Sequence, residues 1–177
     1  MSNIFLCSDH HLEHANILTF LNSDGTKLRD FAHIDEMNEH IIKQHNSVVS
    51  SKDKVYFLGD VVMNKKGFHL LSRMNGEKVL IKGNHDIHKL DYYTQFFKDI
   101  RGCHQFDGMF LSHVPIHPES LSRWKVNVHG HLHANRVKNP YGQPDERYQN
   151  VSMEQLDDYT PISLEQMKSR LKNLGLI

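Results

Sequence analysis

Five short clusters of side chains along this chain carry groups that can bind a cation or move a proton. They are Asp9-His10-His11, Gly59-Asp60, Gly83-Asn84-His85-Asp86, His113 and Gly130-His131-Leu132-His133. Asp9, His11, Asp60, Asn84, His113, His131 and His133 together offer two carboxylates, one amide and four imidazoles, with no thiolate. Mixed nitrogen and oxygen donors suit manganese, iron, zinc, cobalt or nickel, and do not suit copper(I), an iron–sulfur cluster or a calcium cage. Seven donors are too many for one tetrahedral ion, whereas two ions sharing a carboxylate would use them well. Two divalent ions against two carboxylates leave net positive charge even with a bridging hydroxide, so the site would favour an anion. A metal pair generates hydroxide near neutral pH and clamps the attacking and leaving oxygens of an in-line displacement. Phosphoester hydrolysis is the matching reaction.

Each cluster follows a short, mostly apolar run: Ile4–Cys7, Val55–Leu58, Val79–Lys82, Met109–Ser112 and Val126–His129. Such runs, bounded by turn residues, predict buried strands. Helical spacing appears over Asp35–Val49 and more briefly over Phe68–Met74. Ser163-Leu164-Glu165-Gln166 is a capping box that opens a C-terminal helix. Asp107-Gly108 predicts a hairpin turn, and Asn139–Pro144, with two prolines and a glycine, predicts a surface loop. The first half therefore reads β-α-β-α-β and the second is richer in strands, an α/β protein with a partly parallel sheet. Ligands of open α/β sheets bind beyond the carboxyl ends of the strands, where all five clusters lie. Strand alternation would place His131 and His133 on one side, facing neighbouring ions.

Length and composition narrow the classes further. The 177 residues predict a single domain spanning 1–177. Lys and Arg number 21, as do Asp and Glu, and zero net charge disfavours general attraction to nucleic acid or an anionic membrane. The 15 histidines are far above ordinary usage, as a metal-binding and acid–base protein requires. Two cysteines, Cys7 and Cys103, make no disulfide framework, and the first apolar run is too short for a signal peptide or membrane span. The expectation is a cytoplasmic protein, with no membrane partner and Cys7 as a small buried apolar group. His33, His40, His45, His69, His88 and His104 lie in no motif.

The five blocks, in this order, resemble those of the calcineurin-like metallophosphoesterase superfamily. They span about 70% of the chain. The flanks Ser8–His14, Arg29-Asp30-Phe31, Asp35-Glu36-Met37 and Asn150-Val151-Ser152 resemble a small single-domain bacterial or phage branch, in which Arg-Pro-Phe is usual where Arg-Asp-Phe stands here. The resemblance implies a four-layer αββα sandwich with a dinuclear site between two sheets. It implies that Asp9, His11, Asp60 and His133 hold one ion and that Asp60, Asn84, His113 and His131 hold the other, Asp60 bridging. Manganese leads the candidate metals, ahead of iron, zinc, cobalt or nickel. His85 would meet the phosphoryl oxygen or protonate the leaving alcohol, and Asp86 would orient His85 or its loop. Protein phosphatases of the superfamily carry an Asp and an Arg where this chain has Met63 and Asn64, so the phosphate clamp must come from elsewhere, with His14 and Arg29 the candidates. The expected activity is hydrolysis of a small, possibly nucleotide-derived phosphomonoester or phosphodiester. A DNA or RNA nuclease and a non-catalytic scaffold of the same fold are the alternatives. The pattern specifies no oligomeric state.

Overall fold

The computed structural model describes residues 2–177. Among the described residues, nine strands form two mixed sheets. In the first, β1 (Ile4–Cys7), β2 (Lys54–Phe57), β3 (Glu77–Ile81) and β4 (Asp99–Arg101) run parallel, and β9 (Ile162–Ser163) closes the other edge antiparallel to β1. The strand order is β4-β3-β2-β1-β9. In the second sheet β6 (Met109–Ser112), β7 (Val126–His129) and β8 (Tyr148–Asn150) are parallel, and β5 (Cys103–Phe106) pairs antiparallel with β6. The five predicted strands are present within two residues at either end. The additional strands β4, β8 and β9 are too short to leave a period in the sequence.

Parallel neighbours need crossover connections. Here α1 (Ile34–Val48) joins β1 to β2, α2 (Phe68–Leu71) joins β2 to β3, and α3 (Leu90–Tyr93) joins β3 to β4. The short α4 (Leu121–Trp124) precedes β7, and α5 (Leu164–Asn173) ends the chain. The expected capping box forms: the Ser163 side chain accepts from Gln166 N–H, and the Gln166 side chain accepts from Ser163 N–H. Met167 and Leu171 are the buried side chains of that helix. Phe106 and Met109 pair across the Asp107-Gly108 turn, as predicted.

Alternation along β2 shows how the layers stack. Tyr56 turns to the second sheet, its ring 5.1 Å from Phe106 and 5.7 Å from His104. Phe57 turns the other way, 5.8 Å from His45 of α1 and 5.5 Å from Phe97. Phe57 is fully buried, a contribution of about 2–3 kcal/mol to the core. Among the described residues no helix is long and apolar enough to cross a membrane.

The sheets meet where the site must be. A parallel bridge pairs Ser8, just past β1, with Ser152, just past β8. Met153 N–H donates to Ser8 O at 3.1 Å, and Gly130 N–H donates to His113 O at 2.9 Å. The carboxyl ends of β1, β2 and β3 are thereby set against those of β6, β7 and β8.

Candidate metal centre

Two groups of donor atoms converge at this junction. Asp9, His11 and His133 form one, and Asp60, His113 and His131 form the other, and each could hold a metal ion. His11 Nε2 and His133 Nε2 each lie 3.8 Å from Asp9 Oδ1. His113 Nε2 lies 3.2 Å from Asp60 Oδ2 and 2.9 Å from Asn84 Oδ1. Asp60 Oδ2 is also 3.9 Å from His11 Nε2, so it stands between the two groups. Donors about 2.0–2.2 Å from a shared cation lie about 3–3.6 Å from one another, close to these spacings.

Hydrogen bonding leaves the inward-facing atoms free. Asp9 Oδ2 accepts from His131 N–H at 2.8 Å and lies 2.9 Å from the Ser152 hydroxyl. Its other oxygen, Oδ1, is buried with no partner, as are both ring nitrogens of His11. His113 Nδ1 is 2.7 Å from Leu58 O. A proton on Nδ1 therefore donates to that carbonyl and turns the Nε2 lone pair of the neutral ring toward Asn84 Oδ1 and Asp60 Oδ2. Three electron-pair donors then face one another, two of them on the buried His113 and Asp60 and the third on Asn84 at the exposed edge. Such a set is repulsive unless a proton or a cation sits among them. The donor set thus fits a divalent cation.

Burial alone would raise Asp9, but the neighbouring histidines, His11 first, hold its carboxyl far below the carboxylate range. Asp60 is lowered in the same way, with His113 offsetting its burial. Desolvation lowers His113, but its bond to Asp60 and the nearby charges of Asp9 and Asp60 together more than offset it, so the group is raised. His133 is raised because Glu154 offsets its burial. His11 and His131 are lowered, mainly by desolvation.

The backbone is bent to deliver these side chains. Asp9, His11, Asp60, His131 and His133 all have positive φ, between 49° and 68°. Left-handed conformations cost a non-glycine residue energy and cluster at functional sites. The expected extended backbone at His131 and His133 is therefore replaced by a left-handed turn after β7, which sends His131 to one donor group and His133 to the other. Two motif glycines are required by close approach. A Cβ on Gly83 would overlap the Asp60 carboxylate, and one on Gly130 would overlap Ser8 and Asp9.

The remaining predicted residues fall into different places. His85 is exposed at the rim, its ring 5.7 Å from that of His11 and its N–H donating to Asp60 Oδ1 at 2.8 Å. Asp86 does not orient the His85 ring. Its carboxylate is buried and accepts from the N–H groups of Asp60 (2.8 Å), Val61 (3.1 Å) and Gly83 (2.8 Å), tying together the loops after β2 and β3. Burial raises the Asp86 carboxyl. His14 is half-buried with its ring 5.4 Å from His11 and 5.8 Å from Phe20. Arg29, expected as a phosphate clamp, is 0% exposed. Its guanidinium donates to His10 O at 2.8 Å, to Asp9 O at 2.5 Å and to the Glu154 carboxylate at 2.8 Å. It braces the backbone behind the donors and has no surface to offer a ligand.

Glu154 and Ser152 complete the surroundings. Glu154 Oε1 lies 3.1 Å from His133 Nδ1. Nothing about an isolated glutamate in a 3-10 turn signals this role; only the pairing of β8 with the end of β1 brings it there. Beside His131 and His133 opens a cleft of about 570 Å³, bordered by Phe20, Leu21, Leu28 and Asn135. A slightly larger hollow of about 600 Å³, between the start of β1 and α5, contains none of the donors.

No family model matches the chain. The uncharacterized protein MJ1445 of Methanocaldococcus jannaschii is 38% identical over 172 residues, covering 93% of this chain and 89% of that one. This chain belongs to the MJ1445 family. The gene 66 protein of Mycobacterium phage L5 is 28% identical over 173 residues, covering 76% of this chain and 79% of the phage protein. Among solved structures, the protein of unknown function AQ665 from Aquifex aeolicus superposes with a TM-score of 0.69 at 22% identity. That superposition covers 96% of this chain and 99% of AQ665, so the two share a fold. A novel archaeal phosphodiesterase superposes with a TM-score of 0.48 at 17% identity, over 85% of this chain and 82% of that one.

Proposed function

We propose that the chain is a metal-dependent phosphoesterase of the calcineurin-like kind, its two sheets and covering helices forming the αββα sandwich of that superfamily. Asp9, His11, Asp60 and His133 would hold one divalent ion, and Asp60, Asn84, His113 and His131 the other, with manganese the preferred metal. The observation that carries this reading is the convergence of His113 Nε2, Asn84 Oδ1 and Asp60 Oδ2 beside the unpartnered Asp9 Oδ1 and His11 ring. Two divalent ions there would supply Lewis-acid polarisation of a phosphoryl oxygen and activation of water.

The chain's own residues do the rest. His85 stands exposed beside the donors, where a ring N–H can meet a phosphoryl oxygen or protonate the departing alcohol. Its backbone bond to Asp60 fixes its distance from the carboxylate common to both donor groups. His14 and Phe20 edge the approach from the cleft side, with room for a small organic group on the phosphoester. Arg29, Asp86, Ser152 and Glu154 hold the donors in place.

The test is a panel of phosphoesters offered to protein stripped of metal by chelation and reloaded with manganese, iron, zinc, cobalt or nickel. The panel includes chromogenic mono- and diesters, mononucleotides, cyclic nucleotides, sugar phosphates and DNA. Hydrolysis abolished by chelation and restored with manganese supports the proposal. A rate indifferent to exhaustive chelation, or no turnover of any ester with any metal, refutes it, and the latter favours a binding scaffold.

A further inference from the structure

A third group of donor atoms lies behind the rim. Cys7, His10 and His45 are buried, with relative exposures of 0%, 0% and 1%, and one ligand atom from each lies within 4.8 Å of the others. The left-handed turn at Asp9 and His11 separates these residues from the rim. Asp9 and His11 face forward, while His10 points back beneath β1 toward α1. Cys7 is on this rear side too.

The three side chains make poor core filler. Both ring nitrogens of His10 and Nδ1 of His45 are buried without hydrogen-bond partners. The Cys7 thiol has a single weak contact, to Tyr56 O at 4.0 Å. His45 Nε2, by contrast, lies 2.9 Å from Asn75 O. A proton on Nε2 donating there turns the Nδ1 lone pair inward, as for the ligand histidines of metal sites. The Phe57 ring lines the site, 4.9 Å from His10 and 5.8 Å from His45.

We propose that Cys7, His10 and His45 form a structural site for one thiophilic d¹⁰ cation, copper(I) or zinc(II), chemically distinct from the all-nitrogen-and-oxygen rim. On binding, the Cys7 S–H gives up its proton to solvent and a sulfur–metal bond forms. The two imidazoles bind as neutral ligands, and nothing is oxidised or reduced. Thiolate with imidazole selects soft cations over manganese or magnesium. With copper(I) the thiolate leaves the set neutral, which suits an apolar setting beside the Arg29 guanidinium. The cation would join the end of β1, the loop bearing Asp9 and His11, and α1, holding that loop from behind.

The experiment uses Cys103→Ser, an exposed position, so that Cys7 is the sole thiol. The full-length variant is refolded anaerobically with excess cobalt(II) and a phosphine reductant. The expected result is a near-ultraviolet thiolate-to-cobalt charge-transfer band at one equivalent, which rim ligands cannot produce. The band is lost in Cys7→Ala/Cys103→Ser. In parallel, Cys103→Ser refolded with zinc(II) or copper(I) and dialysed against manganese keeps one equivalent of the thiophilic metal, and the better-retained ion names the native one. A folded Cys103→Ser protein without the charge-transfer band, or one that surrenders all zinc and copper to manganese, overturns the proposal, whether or not the double variant folds.

Discussion

Glu154 Oε1 sits 3.1 Å from Nδ1 of His133 and 2.8 Å from Nε of Arg29, in a buried arrangement that joins three distant parts of the chain. The carboxylate sets the His133 tautomer, with Nδ1 carrying the proton and Nε2 turned to Asp9. Burial raises Glu154, but Arg29 and then His133 more than compensate and hold it ionised. Partners of this type raise ligand basicity, and their loss costs about 10–100-fold in metal affinity. Glu154→Gln should weaken metal binding by that factor while Asp9 and His11 stay in place. Calorimetric titration of stripped protein with manganese measures it, and an unchanged affinity would show that Glu154 serves folding alone.

Asp60 Oδ2 is within reach of both donor groups, 3.2 Å from His113 Nε2 and 3.9 Å from His11 Nε2. Asp60→Asn should lose most hydrolysis of a chromogenic phosphodiester, because it removes the carboxylate within reach of both donor groups. Metal analysis should show that more than one ion is weakened. Near wild-type turnover in this variant would mean that the centre is elsewhere.

His85→Ala should keep its metal and slow turnover by roughly 10²-fold, the loss typical of a general acid. The defect should shrink for esters with very acidic leaving groups, which leave without a proton. A variant stripped of metal would make His85 a ligand instead.

Asp86 accepts from three N–H groups, those of Asp60 and Val61 buried and that of Gly83 half-buried. Asp86→Ala leaves them unsatisfied, at about 1–3 kcal/mol apiece before relaxation. A net loss near 3 kcal/mol corresponds to about 10 °C in Tm for a chain of this size. Thermal unfolding of the metal-free protein reads this directly. A loss of activity at unchanged Tm would assign Asp86 to chemistry rather than to the loops.

His129 is fully buried and is pushed down to about 4 by desolvation, which its bond to Gly130 O only partly offsets. Between that value and the ordinary histidine value near 6.5 the unfolded chain binds a proton that the folded chain does not. Stability therefore rises with pH through this window and is lost as pH falls through it. The contribution is on the order of 3 kcal/mol across the window. Denaturant titrations of metal-free protein at pH 7.5 and 5.0 should show the decline, and His129→Gln should reduce it.

The donor chemistry was legible in the linear chain because it depends on residue type and on position after an apolar run. Asp9, Asp60, Asn84, His113, His131 and His133 each come soon after a strand, and parallel strands bring the residues beyond their carboxyl ends to one edge. The capping box at Ser163 and the hairpin at Asp107-Gly108 were equally local, so they too could be read without the fold.

Contacts between residues distant in sequence were settled by packing. The bridge from Ser8 to Ser152 joins the two sheets across most of the chain and brings Glu154 behind His133, a contact that no spacing rule contains. Burial turned Arg29 from an expected phosphate ligand into a brace, since exposure belongs to the packed chain and not to the residue. Positive φ at Asp9 and His11 broke the strand alternation and grouped His10 with Cys7 and His45. Sequence thus establishes which groups can bind a cation, through their intrinsic chemistry. The fold selects which of them could share one, because that depends on distances set by non-local packing.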